Sequence, residues 1–338
     1  MKIALVSKLW EDTSPNSTGG TGMSVGLLAD ELVKQGHKVT VFGTGQSKTK
    51  AKVASVRQKP WKNDYSEPIE YLNIANAFND AKKFDIIHTH VEHKAAMFAS
   101  LTKNTPCLMS LRYGEFFEDE IKILKKYKNL NWLTNSNALA KKLSFIKFKG
   151  VVYNGLDLNR YPFNENPKDY LLFLARLSPQ KGPDIAIKAA KRLGLKLILA
   201  GKTVKGDQKF LNEKVSPFIN GKQIKYIGEV GFSKKIELLK NAKALLHPNL
   251  VFEACSNTIL EAQACGVPVV AYNNGSNKEL VINKKTGFIV NNLDSTLKAI
   301  KNVDSINRKA CRKNIENNFN VSKMANDYLK IYKKIIKS

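Results

Sequence analysis

Apolar positions along this chain gather in short continuous runs, and between the runs lie stretches in which they recur at helical spacing. Residues 2–7 (KIALVS) read as a buried strand, 23–35 as a helix and 38–42 as a second strand. Residues 71–81 read as a helix, and 84–90, 107–111 and 131–135 as further strands. The alternation continues in the second half. A strand within 169–176 delivers Arg176 at its end, a helix covers 184–193, and strands cover 195–200 and 224–227. Residues 244–246 stop at a Pro-containing loop, 258–265 read as a helix, VPVVAY (267–272) as the next strand, and 286–290 as another. Strand and helix alternating through both halves predict an α/β protein with open, doubly wound, Rossmann-like sheets. Residues 48–69 are polar and irregular and read as an excursion. The tail, 321–336, carries Met324, Tyr328, Ile331 and Ile335 on one helical face, and no internal repeat appears.

A length of 338 residues accommodates two domains with separate cores, and a hydrophobic content of 43% is ordinary for a globular protein. The formal charge of +26 is extreme, but it comes from 48 Lys against 7 Arg and is spread over both halves. Recognition of bases and phosphates in nucleic acids favours Arg forks, and no nucleic-acid motif accompanies the charge, so nucleic acid is not expected as a partner. Attraction to phosphorylated substrates or peripheral contact with an anionic membrane stays open. Abundant Lys, Asn and Ile together also fit a codon bias. Cys107, Cys255, Cys265 and Cys311 show no CxxC spacing and no His at metal-ligand spacing, which fits a reduced, cytoplasmic protein. The opening segment is too soon charged for a signal peptide, and no apolar run approaches the ~18 residues of a membrane span.

The densest chemistry lies in residues 244–272, ALLHPNLVFEACSNTILEAQACGVPVVAY. A loop between a strand and a helix of an open parallel sheet lies at the carboxyl ends of the strands. Glu253 would therefore face the ligand crevice, and the amides of Ser256, Asn257 and Thr258 would open a helix toward it. Glu261 follows about two turns on. Two carboxylates so spaced can accept hydroxyl hydrogens from separate parts of one extended, polyhydroxylated ligand. Two Glu on an amphipathic helix could equally be solvated surface. Arg176 and Lys181 come from a single strand end and loop, and such a pair suits a diphosphate: Arg forks two oxygens and Lys acts as a point charge. The alternative is an ordinary solvated pair. Near the start, Gly20, Gly22 and Gly26 approach a dinucleotide fingerprint, but Val25 stands where the third glycine belongs and no acidic residue ends the second strand. His88 and His90 close the strand 84–90, where a histidine either lines the cleft or is held structurally by a backbone hydrogen bond.

Several of these segments, in this order, resemble the group 1 retaining glycosyltransferases of GT-B fold, which use nucleotide sugars. EACSNTILE resembles the family's E-x7-E signature, and the resemblance implies that Glu253 contacts the donor sugar and Glu261 the ribose. RLSPQK resembles the R-x4-K donor-phosphate clamp, implying catalytic roles for Arg176, Lys181 and Glu253. STGGTGMSVG is similar to the glycine loop that closes over the donor phosphates, with Gly19 and Gly20 supplying bare amides. DIIHTH resembles a family strand that ends in a cleft histidine, here His90. VVYNGLD resembles the linker between the domains and brings in Asn154, although Asn-Gly alone could be only a turn. GEVG, beginning at Gly228, resembles the loop that reads the nucleotide base through backbone groups.

Two departures stand out: Cys255 and Ser256 replace the usual Phe-Gly, and Arg112 stands where relatives keep a histidine beside the sugar. A permanently charged guanidinium there suggests an anionic donor sugar or a phosphorylated acceptor, unless Glu115, Glu118 or Asp119 neutralises it. The resemblance implies two doubly wound, Rossmann-like domains facing each other across a cleft: an acceptor-side domain, 1–153, joined by a returning terminal helix, 321–338, and a donor domain, 154–320. The implied activity is metal-independent hexosyl transfer from a nucleotide diphosphate sugar, UDP-linked by preference, to a glycan, lipid or small-molecule acceptor. No cofactor is implied, and the leaving phosphate itself would take the acceptor's proton. Two other classes compete: a non-catalytic nucleotide-sugar binding module and an NAD-dependent oxidoreductase.

Overall fold

The computed structural model describes residues 1–17, 19–61 and 64–337. The chain divides into two compact units, Met1–Leu156 with the tail from Asn320, and Asp157–Phe319. The first holds a sheet of β1 (Lys2–Val6), β2 (Lys38–Thr44), β3 (Lys52–Arg57), β4 (Ile86–Thr89), β5 (Cys107–Leu111) and β6 (Trp132–Thr134). Its order is β3-β2-β1-β4-β5-β6 and every pairing is parallel. The second holds β7 (Leu171–Leu174), β8 (Leu197–Ala200), β9 (Ile224–Tyr226), β10 (Ala244–His247), β11 (Val269–Tyr272) and β12 (Gly287–Val290). Its order is β12-β11-β10-β7-β8-β9, again all parallel. Each unit is thus a doubly wound α/β domain, and the two-domain plan is GT-B.

The central strands form where apolar residues run almost without interruption, because helices cover both faces of the sheet and neither face meets water. IIHT of β4, CLMSL of β5 and ALLH of β10 are buried at every position. The helix Pro183–Leu193 shows how local chemistry sets an element: Pro183 opens it, Asp184 lies in the first turn, Lys191 and Arg192 lie in the last, and Gly194 ends it at φ +67°. Its apolar face, Ala186, Ile187, Ala189 and Ala190, joins a core built from Leu171, Phe173, Leu199 and Ile300. Burying a side chain the size of Ile187 is worth about 2–3 kcal/mol, so this face holds the helix to the sheet.

Residues 48–69 differ from the irregular excursion expected of them: they contain β3 and the start of the helix Glu67–Asn79. Lys52–Arg57 is an edge strand with only one partner, so its sequence, KVASVR, keeps polar positions that a central strand would exclude. The first long helix begins at Gly20 rather than Met23, so part of the expected glycine loop is its first turn. At the junction of the units, Gly155 does not adopt the positive φ that would mark an Asn-Gly turn. The returning chain explains the glycine: a Cβ at Gly155 would lie 2.6 Å from the carbonyl oxygen of Asn320, where Leu156 and Asn320 bridge. From there the helix Val321–Ile336 runs on the first unit, burying Met324, Tyr328, Tyr332 and Ile335.

Candidate active site

In the second unit, β8 lies on one side of β7 and β10 on the other, so the chain reverses its direction of sheet growth between β7 and β10. Loops diverge at such a switch and leave a crevice at the carboxyl ends of the strands. Arg176 follows β7 and is exposed, with its guanidinium 3.2 Å from the Gln180 side-chain oxygen. The Leu250 amide donates to the Gln180 carbonyl at 2.7 Å, tying the loop after β7 to the loop after β10. Lys181 Nζ then lies 2.7 Å from Glu253 Oε2, an ion pair between side chains 23% and 20% exposed. His247 Nε2 stands 3.8 Å from the same carboxylate and the Asn249 amide 3.4 Å away. Burial pushes the Glu253 carboxyl up, but His247 and Lys181 outweigh it and hold the group at about 2. Glu253 is therefore ionised at neutral pH and can only accept hydrogen bonds.

Ser256 caps the helix Asn257–Ala264, and its hydroxyl makes no capping bond to the helix. Thr258 lies in the first turn. Glu261, about one turn along, is only 2% exposed, and the solvated-helix alternative does not describe it. Its Oε1 accepts from Tyr161 at 3.0 Å and from Lys235 at 2.5 Å. Both bonds fall on one oxygen. Tyr161 and Lys235 were not singled out by pattern, because a lone Tyr and one Lys among 48 carry no positional signal.

The first unit has its own switch, between β1 and β4. Lys8 follows β1 and pairs at 2.9 Å with Glu92, which follows β4 and is held at φ +51°. His88 is structural: wholly buried, it bonds Ser110 at 2.7 Å and the Tyr332 hydroxyl at 2.6 Å, and burial with the Arg112 charge keeps its ring well below the usual histidine range. His90, expected to line a cleft, is 0% exposed, because its amide bonds the Val6 carbonyl and its ring lies 4.0 Å from that of His88. Burial, His88, Arg112 and Lys8 together hold it neutral, and neither ring nitrogen has a partner among the described residues.

Arg112 Nη1 donates to Tyr328 at 3.1 Å and Nη2 to Asn154. It forms no ion pair with any described residue, and Glu118 and Asp119 pair with Lys122 instead. The guanidinium thus has neutral partners, and its charge bears at longer range on Glu11 and Glu92.

At the glycine loop, Thr18 lies outside the described residues. The Gly19 amide donates to Ser17 Oγ at 3.3 Å, so it is not bare, and Gly20 is the first helical residue. A carboxylate already lies at this helix end: Glu11 Oε1 accepts from the Gly22 amide at 2.8 Å. A Cβ at Gly19 would sit 1.0 Å from Glu11 Oε2, which gives the glycine a reason besides access for a phosphate. Burial raises the Glu11 carboxyl despite the Gly22 amide and Lys8. Glu11 was missed by pattern, since an acidic residue in a loop is commonplace.

Comparison with known proteins decides the family. Residues 158–320 match Glycosyl transferases group 1, and residues 18–160 match Glycosyltransferase Family 4. The chain belongs to the group 1 glycosyltransferases. This glycosyltransferase takes a nucleotide sugar as co-substrate, and the oxidoreductase reading is set aside. It is 26% identical to an uncharacterized glycosyltransferase of Methanocaldococcus jannaschii over 86% of this chain and 85% of that one. It is also 26% identical to the UDP-Gal:alpha-D-GlcNAc-diphosphoundecaprenol alpha-1,3-galactosyltransferase of Escherichia coli, over 74% of this chain and 76% of that one. Its fold matches that of a glycosyltransferase involved in avilamycin A biosynthesis, with a TM-score of 0.78, 22% identity and coverage of 100% and 98%. Among the described residues no group of three His, Cys, Asp or Glu gathers to hold a metal, no disulfide joins the four cysteines, and no helix is long and apolar enough to cross a membrane.

Proposed function

We propose that this glycosyltransferase moves a sugar from a UDP-linked donor, with retention at the anomeric carbon and without a metal ion, the second unit holding the donor and the first the acceptor. The Lys181–Glu253 pair beside Arg176 at the β7/β10 switch carries the reading. Departure of the diphosphate builds negative charge on its oxygens. Arg176 and Lys181, with the helix end at Ser256, stabilise that charge in place of a divalent ion. Before donor binding, Lys181 and Glu253 neutralise each other. As Lys181 turns to the phosphate, the Glu253 carboxylate becomes free to accept sugar hydroxyls, while His247 beside it still favours the ionised form. Glu261 Oε2, on the oxygen that Tyr161 and Lys235 leave alone, would accept from the ribose. The leaving phosphate takes the acceptor's proton. UDP is preferred because the Escherichia coli relative is a UDP-Gal galactosyltransferase. A cytoplasmic enzyme, open to peripheral contact with anionic membrane, fits the reduced cysteines and the charge of +26.

A thermal-shift screen of UDP, GDP, ADP and their sugars tests the donor: a ligand at 100-fold its dissociation constant adds about 2.7 kcal/mol to stability. Product NMR then reads the anomeric centre, and an inverted product overturns retention. Binding of UDP with no release of UDP from any donor favours the non-catalytic module.

A further inference from the structure

The loop after β1 does more than carry Glu11. In the first unit it lines an open cavity of about 410 Å³ with Trp10, Glu11, Asp12 and Asn16, and Gln46 and Lys48 line it as well. That volume is in the range of small-molecule sites, about 300–1,000 Å³. Trp10 is 49% exposed, an unusual position for so large an apolar surface, and the surrounding residues hold it in place. Its indole stacks on Tyr65 at 5.0 Å and 18°, and Tyr65 meets Trp61 edge-on at 5.7 Å. The Arg57 guanidinium covers Trp61 at 4.0 Å, and the Trp61 amide bonds the Leu9 carbonyl next to Trp10. The Tyr65 hydroxyl is fixed in turn by Lys94 at 3.0 Å and Glu70 at 3.2 Å. An exposed indole buttressed through three further side chains is a prepared surface, since its ordering cost is met before any ligand arrives.

The polar lining is equally defined. Asp12 is positioned by the Thr44 hydroxyl at 2.7 Å and Glu11 by the Gly22 amide at 2.8 Å. Two carboxylates and a Gln amide offer several acceptors and two donors, the set that hydroxyl groups use. With Lys48 the lining carries one net negative charge, which opposes a phosphate or carboxylate ligand. The negative face of an indole suits the slightly positive C–H face of a sugar ring. We propose that this cavity holds a neutral saccharide, the acceptor of the transfer. The proposal rests on reading the chain as a glycosyltransferase whose acceptor binds the first unit.

The test is binding, independent of turnover. Methyl α-glycosides of glucose, galactose, mannose and N-acetylglucosamine are titrated against the full chain by saturation-transfer NMR, with UDP titrated by calorimetry on the same samples. At least one glycoside should bind wild type. Trp10→Ala should weaken it at least tenfold, Trp10→Phe should restore most of the loss, and Asp12→Asn should weaken it severalfold. UDP affinity should stay within twofold throughout. Glucose 6-phosphate and glucuronate should bind at least tenfold more weakly than the best neutral glycoside. UDP binding with no glycoside binding, or glycoside affinity unchanged in Trp10→Ala, overturns the saccharide site and leaves the donor reading standing. Loss of UDP affinity in Trp10→Ala makes the cavity a nucleotide site instead. Tighter binding of the acidic sugars overturns the choice of a neutral ligand. Absence of both UDP and glycoside binding defeats the donor reading along with this one.

Discussion

Replacing Lys181 by Met removes a charge while keeping most of the side chain's volume, so it isolates the ion pair at the β7/β10 switch. Lys181 Nζ lies 2.7 Å from Glu253 Oε2, and both side chains are more than three-quarters buried. The Glu253 carboxyl sits at about 2 against an ordinary 4.5. At 1.36 kcal/mol per unit, that difference corresponds to about 3 kcal/mol of preference for the ionised form. Because the folded value is the lower one, this stability is fully present above pH ~4.5 and is lost as pH falls through about 2. His247 and Lys181 share it against the opposing cost of burial, so the Lys181 share is on the order of 1–2 kcal/mol. Lys181→Met should lower unfolding free energy at pH 7 by about that amount and move the Glu253 carboxyl upward. In a Glu253→Gln background there is no charge to strand, and the same substitution should cost less than ~0.5 kcal/mol. Urea unfolding of the four proteins closes the cycle. A coupling energy below ~0.5 kcal/mol would refute the pair as a stabilising unit. Turnover of Lys181→Met should also fall ~10²-fold or more, as for the loss of one preorganised charge-stabilising group, and Arg176→Ala should match it; activity within threefold of wild type in both would remove the phosphate clamp.

The remaining predictions concern the other charged groups. Glu261→Gln should weaken free UDP while Glu253→Gln spares it and weakens the sugar donor; calorimetry showing equal losses of UDP affinity in both would undo the separation of ribose from sugar. The buried rings of His88 and His90 are held below 6.5, so the unfolded chain binds protons more readily and stability should fall as pH drops below ~6.5. Melting temperatures of wild type and His90→Phe measured from pH 8 to pH 5 should converge toward acid, and parallel curves would contradict a neutral buried ring. Arg112, with Asn154 and Tyr328 as partners and no carboxylate of the described residues paired to it, is open to an anionic substrate group. Arg112→His should therefore change use of UDP-glucuronate more than use of UDP-glucose with the same neutral acceptor, and an equal change with both donors would sink that idea.

What could be read from the chain alone was whatever has a short period or a fixed offset. Central strands such as Cys107–Leu111 and Ala244–His247 are nearly continuous apolar runs, the tail helix is a 3.6-residue pattern over Val321–Ile336, and the Arg176 to Lys181 and Glu253 to Glu261 spacings are local. The alternation of strand and helix was enough to state doubly wound α/β sheets, and the resemblance of the motifs divided them between two domains. Edge strand β3 escaped because one unpaired side lets polar residues stand where periodicity looks for apolar ones. Pattern also misplaced the meaning of two glycines. Gly155 answers to a chain that returns more than a hundred residues later, and Gly19 to the Glu11 carboxylate. Side-chain partnerships were beyond it altogether. Strand order, decided only when β10 docks beside β7, brings Lys181 to Glu253 across 72 residues, and a separate packing of Tyr161 and Lys235 on the helix 257–264 commits one oxygen of Glu261. Periodicity is set by backbone geometry over a few residues. Which charge meets which is set by burial among distant segments, and only the folded chain fixes those distances.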